Sequence, residues 1–260
     1  MRYTDLADEL YHAPEDALPA GVRVATAKRG GVTVTRVEIA REGLERPRGR
    51  YVTLEVPRVS LLDERDESVI EPAAAELRAL LPAAGPVLVL GVGNRRVTAD
   101  ALGPRTVQKI FVTMGQRSVP VQGIRPVAAV APGASASTGL SLQQLAAALV
   151  GQLRPAAVVC VDSLCSAEGQ RLGRTVQFSD AGLYPAQADH TRHLTRDTVG
   201  VPVVAAGIPT LMQAQEGADL VVTPRALDSV IAHGAALLAG SVNRALQPRL
   251  TVQQLCWLTG

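Results

Sequence analysis

Apolar residues recur at every second position in the first quarter of the chain. Three short runs with this period, rich in β-branched residues, cover positions 22–25, 32–39 and 51–56. Gly30, Gly31 and a polar stretch at 41–50 separate them. A period of two between short turns is typical of antiparallel strands. We therefore expect an antiparallel β annex at about residues 20–60.

Beyond residue 70 the pattern changes to an alternation of helical and continuous apolar segments. Continuous apolar runs are typical of strands buried on both faces, and they predict strands at 87–90, 127–130 and 156–161, with shorter ones at 175–178 and 201–205. Helices are predicted between and after them, at 71–81, 103–114, 140–153 and 226–246. Because strand and helix alternate, we predict a three-layer α/β fold with a mostly parallel, doubly wound sheet.

Composition and charge narrow the class of protein. The 26 basic and 24 acidic residues leave a net charge of +2, too small to concentrate nucleic acid or anionic lipid. Acidic residues near the N-terminus are atypical of a secretory signal peptide. The three cysteines have no CxxC spacing, which disfavours a disulfide framework or a zinc site and fits a protein of the reducing cytosol. The uncharged stretch between Arg125 and Arg154 is interrupted by Pro132 and several polar residues, which favours a buried core. We predict a cytoplasmic protein with no direct nucleic-acid partner and no membrane partner.

Two aspartates lie where an open parallel sheet collects its ligands, outside the carboxyl ends of the strands. Gly91 and Gly93 follow the first buried strand, but Arg96 stands where a dinucleotide fingerprint needs a third glycine. Asp100 ends this turn and Asp162 directly follows the third predicted strand. Asp100 is also placed to cap the next helix, whereas a carboxylate after an apolar run needs a partner. We therefore expect the two aspartates to share one crevice.

A pair of neighbouring aspartates can hydrolyse a bond without a covalent intermediate. Two close carboxylates do not both ionise easily, so the pair holds a shared proton. One oxygen then takes a proton from water while the other donates one to a carbonyl. The same pair would bind a metal if His190 or His193 supplied a third ligand, although such loop histidines are more often solvated. Neither Ser163 nor Ser166 lies in the GxSxG motif that exposes a nucleophilic serine on a sharp turn. Cys165 has no histidine at a recognisable spacing. Catalysis by a serine or cysteine nucleophile is therefore a minor alternative.

Several strings of residues resemble the spore germination protease family. The most specific is GVGN at 91–94 with VTADALGP at 97–104, and the others are VDSL at 161–164, SDAGLYP at 179–185, GVPV at 200–203 and GIPT at 207–210. Residues 2–9 resemble the processing sequence of that family. The strings occur in family order over almost the whole chain.

The resemblance implies an α/β sandwich of the hydrogenase-maturation-peptidase type, with a single peptidase domain over residues 6–260. It implies an atypical aspartic endopeptidase, without metal or other cofactor, whose catalytic aspartates fall on Asp100 and Asp162. Asn94, Thr98 and Asp180 would support them, an assignment from motif position. The implied substrates are small acid-soluble spore proteins that coat DNA, degraded at germination. The family pattern further implies a zymogen and a homotetramer in the cytoplasm of the forespore or spore core.

The N-terminal residues predict self-processing on the same analogy. Family substrates are cut after an acidic residue in a Thr–acidic–apolar–Ala sequence, and Thr4-Asp5-Leu6-Ala7 has this order. We predict cleavage between Asp5 and Leu6, which makes residues 1–5 a short propeptide. Two alternatives stay open: a metal-dependent maturation peptidase of similar fold, and a binding relative that kept the fold and lost the chemistry.

Overall fold

The computed structural model describes residues 3–115, 123–133, 138–184, 193–214 and 220–259. Nine strands of these ranges form one mixed sheet. They are β1 (Val22–Arg29), β2 (Val32–Ile39), β3 (Gly49–Glu55), β4 (Val87–Gly91), β5 (Val127–Val130), β6 (Ala157–Cys165), β7 (Thr175–Ser179), β8 (Val203–Gln213) and β9 (Val221–Val222). Their spatial order is β1-β2-β3-β7-β8-β6-β4-β5, and β9 pairs with β8.

The sheet has a parallel part and an antiparallel part. Strand β4 pairs in parallel with β5 and β6, and β6 pairs in parallel with β8. Strands β1, β2 and β3 form the predicted antiparallel annex. Because β3 also pairs with β7, and β7 with β8, the annex continues the same sheet. The α/β class predicted from the alternation of strands and helices is confirmed.

Helices cover both faces of the sheet and produce three layers. The helices of the described ranges are α1 (Ala7–Leu10), α2 (Glu67–Leu80), α3 (Leu102–Val107), α4 (Leu142–Leu153), α5 (Arg196–Val199), α6 (Leu227–Leu246) and α7 (Val252–Thr259). One apolar cluster joins α2, α3, α6 and α7 to one face, and two smaller clusters join α4, α5 and the N-terminal segment to the other. None of these helices is long and apolar enough to cross a bilayer.

Several elements differ from the predicted bounds. Strand β8 is the longest extension: it runs to Gln213 instead of ending at 205, because its pairing with β6 reaches Leu211. Strand β6 extends past residue 161 to Cys165, since its pairing with β8 continues there. Asp162 therefore lies inside the strand rather than after it. Helix α3 ends at Val107, because the Asn243 side chain bonds the Lys109 carbonyl and the Phe111 N–H. Helix α2 starts at Glu67, earlier than predicted, with the Asp66 side chain accepting from the Ser68 N–H.

Candidate active site

Two glycines let helix α3 touch the ends of two central strands. A Cβ on Gly91 would lie 2.2 Å from the Gly103 carbonyl oxygen. A Cβ on Gly103 would lie 2.3 Å from the Val92 oxygen and 2.4 Å from the Val161 oxygen. These separations leave no room for a side chain at either position. The backbone of the turn that contains Asp100 is therefore held directly against the ends of β4 and β6.

Asp100 is the last residue of a short 3-10 helix that begins at Thr98. Its Oδ2 accepts a hydrogen bond from the Asn94 N–H at 2.7 Å. The N-cap of helix α3 is Ala101, and no side chain bonds to its free amides. The alternative that Asp100 caps this helix is therefore wrong: the carboxylate turns back to the loop that follows β4.

The loop after β4 itself requires a glycine at position 93. Gly93 has a φ of +118°, and a Cβ there would lie 2.1 Å from the Asp100 carbonyl oxygen. Thr210 of β8 donates from its hydroxyl to the Ala99 carbonyl at 3.1 Å, which ties the turn to a third strand. The turn that carries Asp100 thus has contacts with β4, β6 and β8.

Asp162 lies on β6 opposite Gly207 of β8 and is only 5% exposed. Its Oδ1 accepts from the Ser163 N–H at 2.8 Å. The Val92 N–H donates to the Val161 carbonyl at 2.8 Å, so the loop after β4 runs beside this part of β6. Asp100 and Asp162 are therefore brought to the same end of the sheet, on segments that are in direct contact.

A small cavity of about 30 Å³ lies in front of Asp162, enough for roughly one or two water molecules. Asp5, Arg46, Tyr51 and Gln177 are among its lining residues. Within the described part of the chain, Asp100 does not line it. The cavity therefore opens from Asp162 toward the N-terminal segment.

The N-terminal segment is docked at this cavity in the intact chain. The Asp5 N–H donates to the Cys165 carbonyl and the Cys165 N–H donates to Asp5 Oδ2, both at 2.8 Å. Arg46 Nη2 lies 3.0 Å from Asp5 Oδ1. Leu6, on the other side of the predicted cleavage point, is fully buried. Arg46 has no signal in the sequence, because its polar surroundings at 41–50 are typical of a surface turn.

The other predicted site residues have varied partners. Asn94 contacts Asp100 through its backbone, while its side-chain oxygen accepts from the Arg96 N–H. The Thr98 carbonyl accepts from the N–H of the residue after Asp100. Both oxygens of Asp180 accept from Arg50, at 2.7 Å each, from its backbone N–H and from Nε.

Among the described residues, no three His, Cys, Asp or Glu side chains are grouped so as to hold a metal. His190 lies outside the described residues. The ring of His193 lies 4.9 Å from that of Tyr184, and its carbonyl accepts from the Gln143 amide. The residues described here therefore do not assemble the three-ligand site considered from the sequence.

The candidate nucleophiles are poorly placed for attack. Burial and the neighbouring charge of Asp5 raise the pKa of Cys165 to about 11, so this thiol is protonated near neutral pH. Ser166 Oγ lies 2.5 Å from Glu9 Oε1 and is fully buried. Ser163 Oγ is buried without a hydrogen-bond partner in the described part of the chain, so no base activates it there.

Comparison with known proteins gives the class and then the family. A family model described as germination protease matches residues 6–216. The chain is 29% identical to a germination protease of Clostridium acetobutylicum over 97% of both chains, and 31% identical to one of Clostridium perfringens strain 13 over 86% of this chain and 87% of that one. One from Bacillus velezensis is 32% identical over 94% of this chain and 71% of that one. These matches place the chain in the class of proteases. It belongs to the germination protease family.

One solved structure is similar in part. A hydrogenase maturation protease, HycI from Thermococcus kodakarensis KOD1, superposes with a TM-score of 0.37 at 17% identity, covering 64% of this chain and 98% of that one.

Proposed function

We propose that the chain is an endopeptidase that cuts small acid-soluble spore proteins during germination, with Asp100 and Asp162 activating a water molecule. Membership of the germination protease family supports the peptidase activity. The observation that carries the proposal is the position of the two aspartates on contacting segments: Asp100 follows the loop after β4, and Asp162 lies in the second half of β6, directly after the residue that this loop contacts. The carboxyl end of a parallel sheet is where α/β proteins bind their ligands.

The proposed reaction needs one ionised and one protonated carboxyl group. The ionised group takes a proton from water, whose oxygen attacks the peptide carbonyl carbon, while the protonated group donates its proton to the carbonyl oxygen. The proton taken from water then goes to the leaving amine. The backbone N–H groups of Asn94 and Ser163 each fix one carboxylate oxygen. These donors orient the two side chains without adding a charge.

Self-processing between Asp5 and Leu6 is part of the proposal. Asp5 lines the same cavity as Asp162, which supports it. The residues after the Asp5–Leu6 bond have their own contacts with the rest of the chain. Asp8 contacts Arg171, and Glu9 Oε2 accepts from the Ala167 N–H at 2.8 Å. Cleavage would therefore release residues 1–5 and leave helix α1 attached.

The remaining parts of the proposal come from the family resemblance. They are a zymogen state, assembly as a homotetramer, and a location in the cytoplasm of the forespore or spore core. Asn94, Thr98 and Asp180 are proposed to position the aspartates, Asp180 through its ion pair with Arg50 at the rim of the sheet.

The test is incubation of the purified chain with a small acid-soluble spore protein, with product termini identified by mass spectrometry. We expect one cut after an acidic residue in a Thr–acidic–apolar–Ala sequence, at a rate that chelators leave unchanged. Asp162→Asn should lower the rate by roughly 100-fold or more, whereas Asp228→Asn, the same change on an exposed residue, should not. Absence of cleavage, or full activity of Asp162→Asn, would refute the proposal. Loss of activity with a chelator would favour the metal-dependent alternative.

A further inference from the structure

Arg46 is a buried cation that faces the N-terminal segment. It lies between β2 and β3 and is 8% exposed. Besides its bond to Asp5, its Nη1 lies 3.3 Å from the Tyr3 hydroxyl, which itself donates to Asp5 Oδ1 at 2.8 Å. Burial alone would lower the pKa of Arg46, but the negative charge of Asp5 raises it above its ordinary value. The charge of Arg46 is therefore retained in the interior by an acidic partner.

The backbone on either side of that acid is held as well. The Gln177 side chain donates from Nε2 to the Asp5 carbonyl at 2.8 Å and accepts from the Ala7 N–H at 2.9 Å. The Cys165 main chain bonds Asp5 on its other side. Leu6 is fully buried between these contacts. Residues 5–7 are therefore held by main-chain and side-chain bonds, with the acidic side chain facing Arg46 and the apolar Leu6 buried.

Cleavage after Asp5 would remove the partner of Arg46. A buried cation without a counter-ion is strongly unfavourable, and a carboxylate from another peptide would satisfy it. Arg46 Nε is also buried without a hydrogen-bond partner among the described residues, so a further donor is available. The cavity that Arg46 lines continues to Asp162. A peptide bound in this way would present the bond after its acidic residue to that carboxylate.

We propose that Arg46 is the residue that selects the substrate. Together with the main chain of Cys165 and the Gln177 amide, it forms the subsite for an Asp or Glu on the amino side of the cleaved bond. Residues 3–7 occupy this subsite in the intact chain as an internal substrate. The proposal rests on the proposed function, but its binding part does not require catalysis.

The first arm of the test measures peptide binding to the full chain by fluorescence anisotropy. The Asp5→Asn variant removes the charge of the internal competitor. We expect it to bind labelled Tyr-Thr-Asp-Leu-Ala roughly 30-fold or more tightly than Tyr-Thr-Asn-Leu-Ala, the size expected for a buried charge pair. Wild type that still carries residues 1–5, as checked by mass spectrometry, should bind the acidic peptide more weakly than Asp5→Asn does.

The matched control is the double variant Asp5→Asn with Arg46→Gln. It removes both charges together, so neither is left buried without a partner, and its melting temperature reports whether it folds. We expect it to bind both peptides alike. Equal affinity of Asp5→Asn for the acidic and the amide peptide would overturn the assignment without any use of the control.

The second arm measures cleavage of the same peptides and separates the two proposals. Preferential binding of the acidic peptide without any cleavage would leave the subsite in place and refute the proposed function. Cleavage of both peptides at equal kcat/KM by wild type would support the proposed function and overturn the role of Arg46. If both proposals hold, wild type should cut the acidic peptide at the higher kcat/KM, and Arg46→Gln should remove that preference.

Discussion

Replacing Gly103 by alanine tests whether close backbone contact positions Asp100. The added Cβ would lie 2.3 and 2.4 Å from the Val92 and Val161 oxygens, whereas ordinary contact begins at 3.4 Å. Both oxygens belong to backbone, one just after β4 and the other inside β6, and backbone in a central sheet cannot give way as a flexible side chain can. Helix α3, and the turn before it, must therefore move outward.

Two opposing effects determine how far Gly103→Ala changes the free energy of unfolding. An overlap of about 1 Å with two backbone atoms places the packing cost near the upper end of about 1–3 kcal/mol. Alanine in a helix recovers about 1 kcal/mol relative to glycine. The net loss of about 2 kcal/mol corresponds to a fall in Tm of roughly 4–8 °C for a chain of this size.

Gly151→Ala is the matched control, because Gly151 lies in helix α4 with nothing within 4 Å of its added Cβ. It should raise stability by about 0.5–1 kcal/mol. Calorimetry gives both Tm values, and a peptide assay gives kcat/KM. Displacement of Asp100 by about 1 Å should cost Gly103→Ala about 100-fold in kcat/KM. If Gly103→Ala matched Gly151→Ala in both measurements, the argument from backbone contact would be refuted.

Three other predictions concern the N-terminal segment and Cys165. Arg171→Gln removes the partly buried cation that contacts Asp8 and Glu9, and it should cost about 2 kcal/mol, less than the loss of a fully buried partner. Hydrogen exchange in helix α1 should then be faster, and unchanged exchange there would contradict this. Mass spectrometry of an active sample should find Leu6 as the new N-terminus, and an active sample that keeps Met1 would exclude self-processing as a requirement. Because the pKa of Cys165 is raised from 9.0 to about 11, the unfolded thiol ionises first and stability should fall from pH 9 to 11; Cys165→Ala should reduce that slope in urea titrations, and an unchanged slope would contradict the assigned burial.

The strands of the parallel part could be predicted because burial on both faces dictates their composition. The run 87–90 needs no partner to be recognised as such a strand. The end of β6 could not be predicted, since its pairing past residue 161 depends on Gly207 of β8. The end of α3 likewise depends on Asn243, more than 130 residues away.

The residues of the candidate site also differ in whether the local sequence indicates them. Asp100 and Asp162 could be proposed as a pair because each follows a run of buried apolar residues in the sequence, and strand ends mark a ligand crevice, although β6 continues past Asp162 to Cys165. Arg46 could not, since an arginine in a polar stretch is indistinguishable from a surface residue until Asp5, 41 positions away, is placed beside it. The contact of Gln177 with Asp5, 172 positions apart, has no local signal either.

The most direct test of the aspartate pair is a double-mutant cycle on kcat/KM for one acidic peptide. Residues that act as a unit are strongly non-additive. The account predicts that Asp100→Asn and Asp162→Asn each lower kcat/KM by roughly 100-fold or more, and that the double variant is no slower than the slower single one. Losses that multiply in the double variant, or a single variant with wild-type kcat/KM, would contradict it.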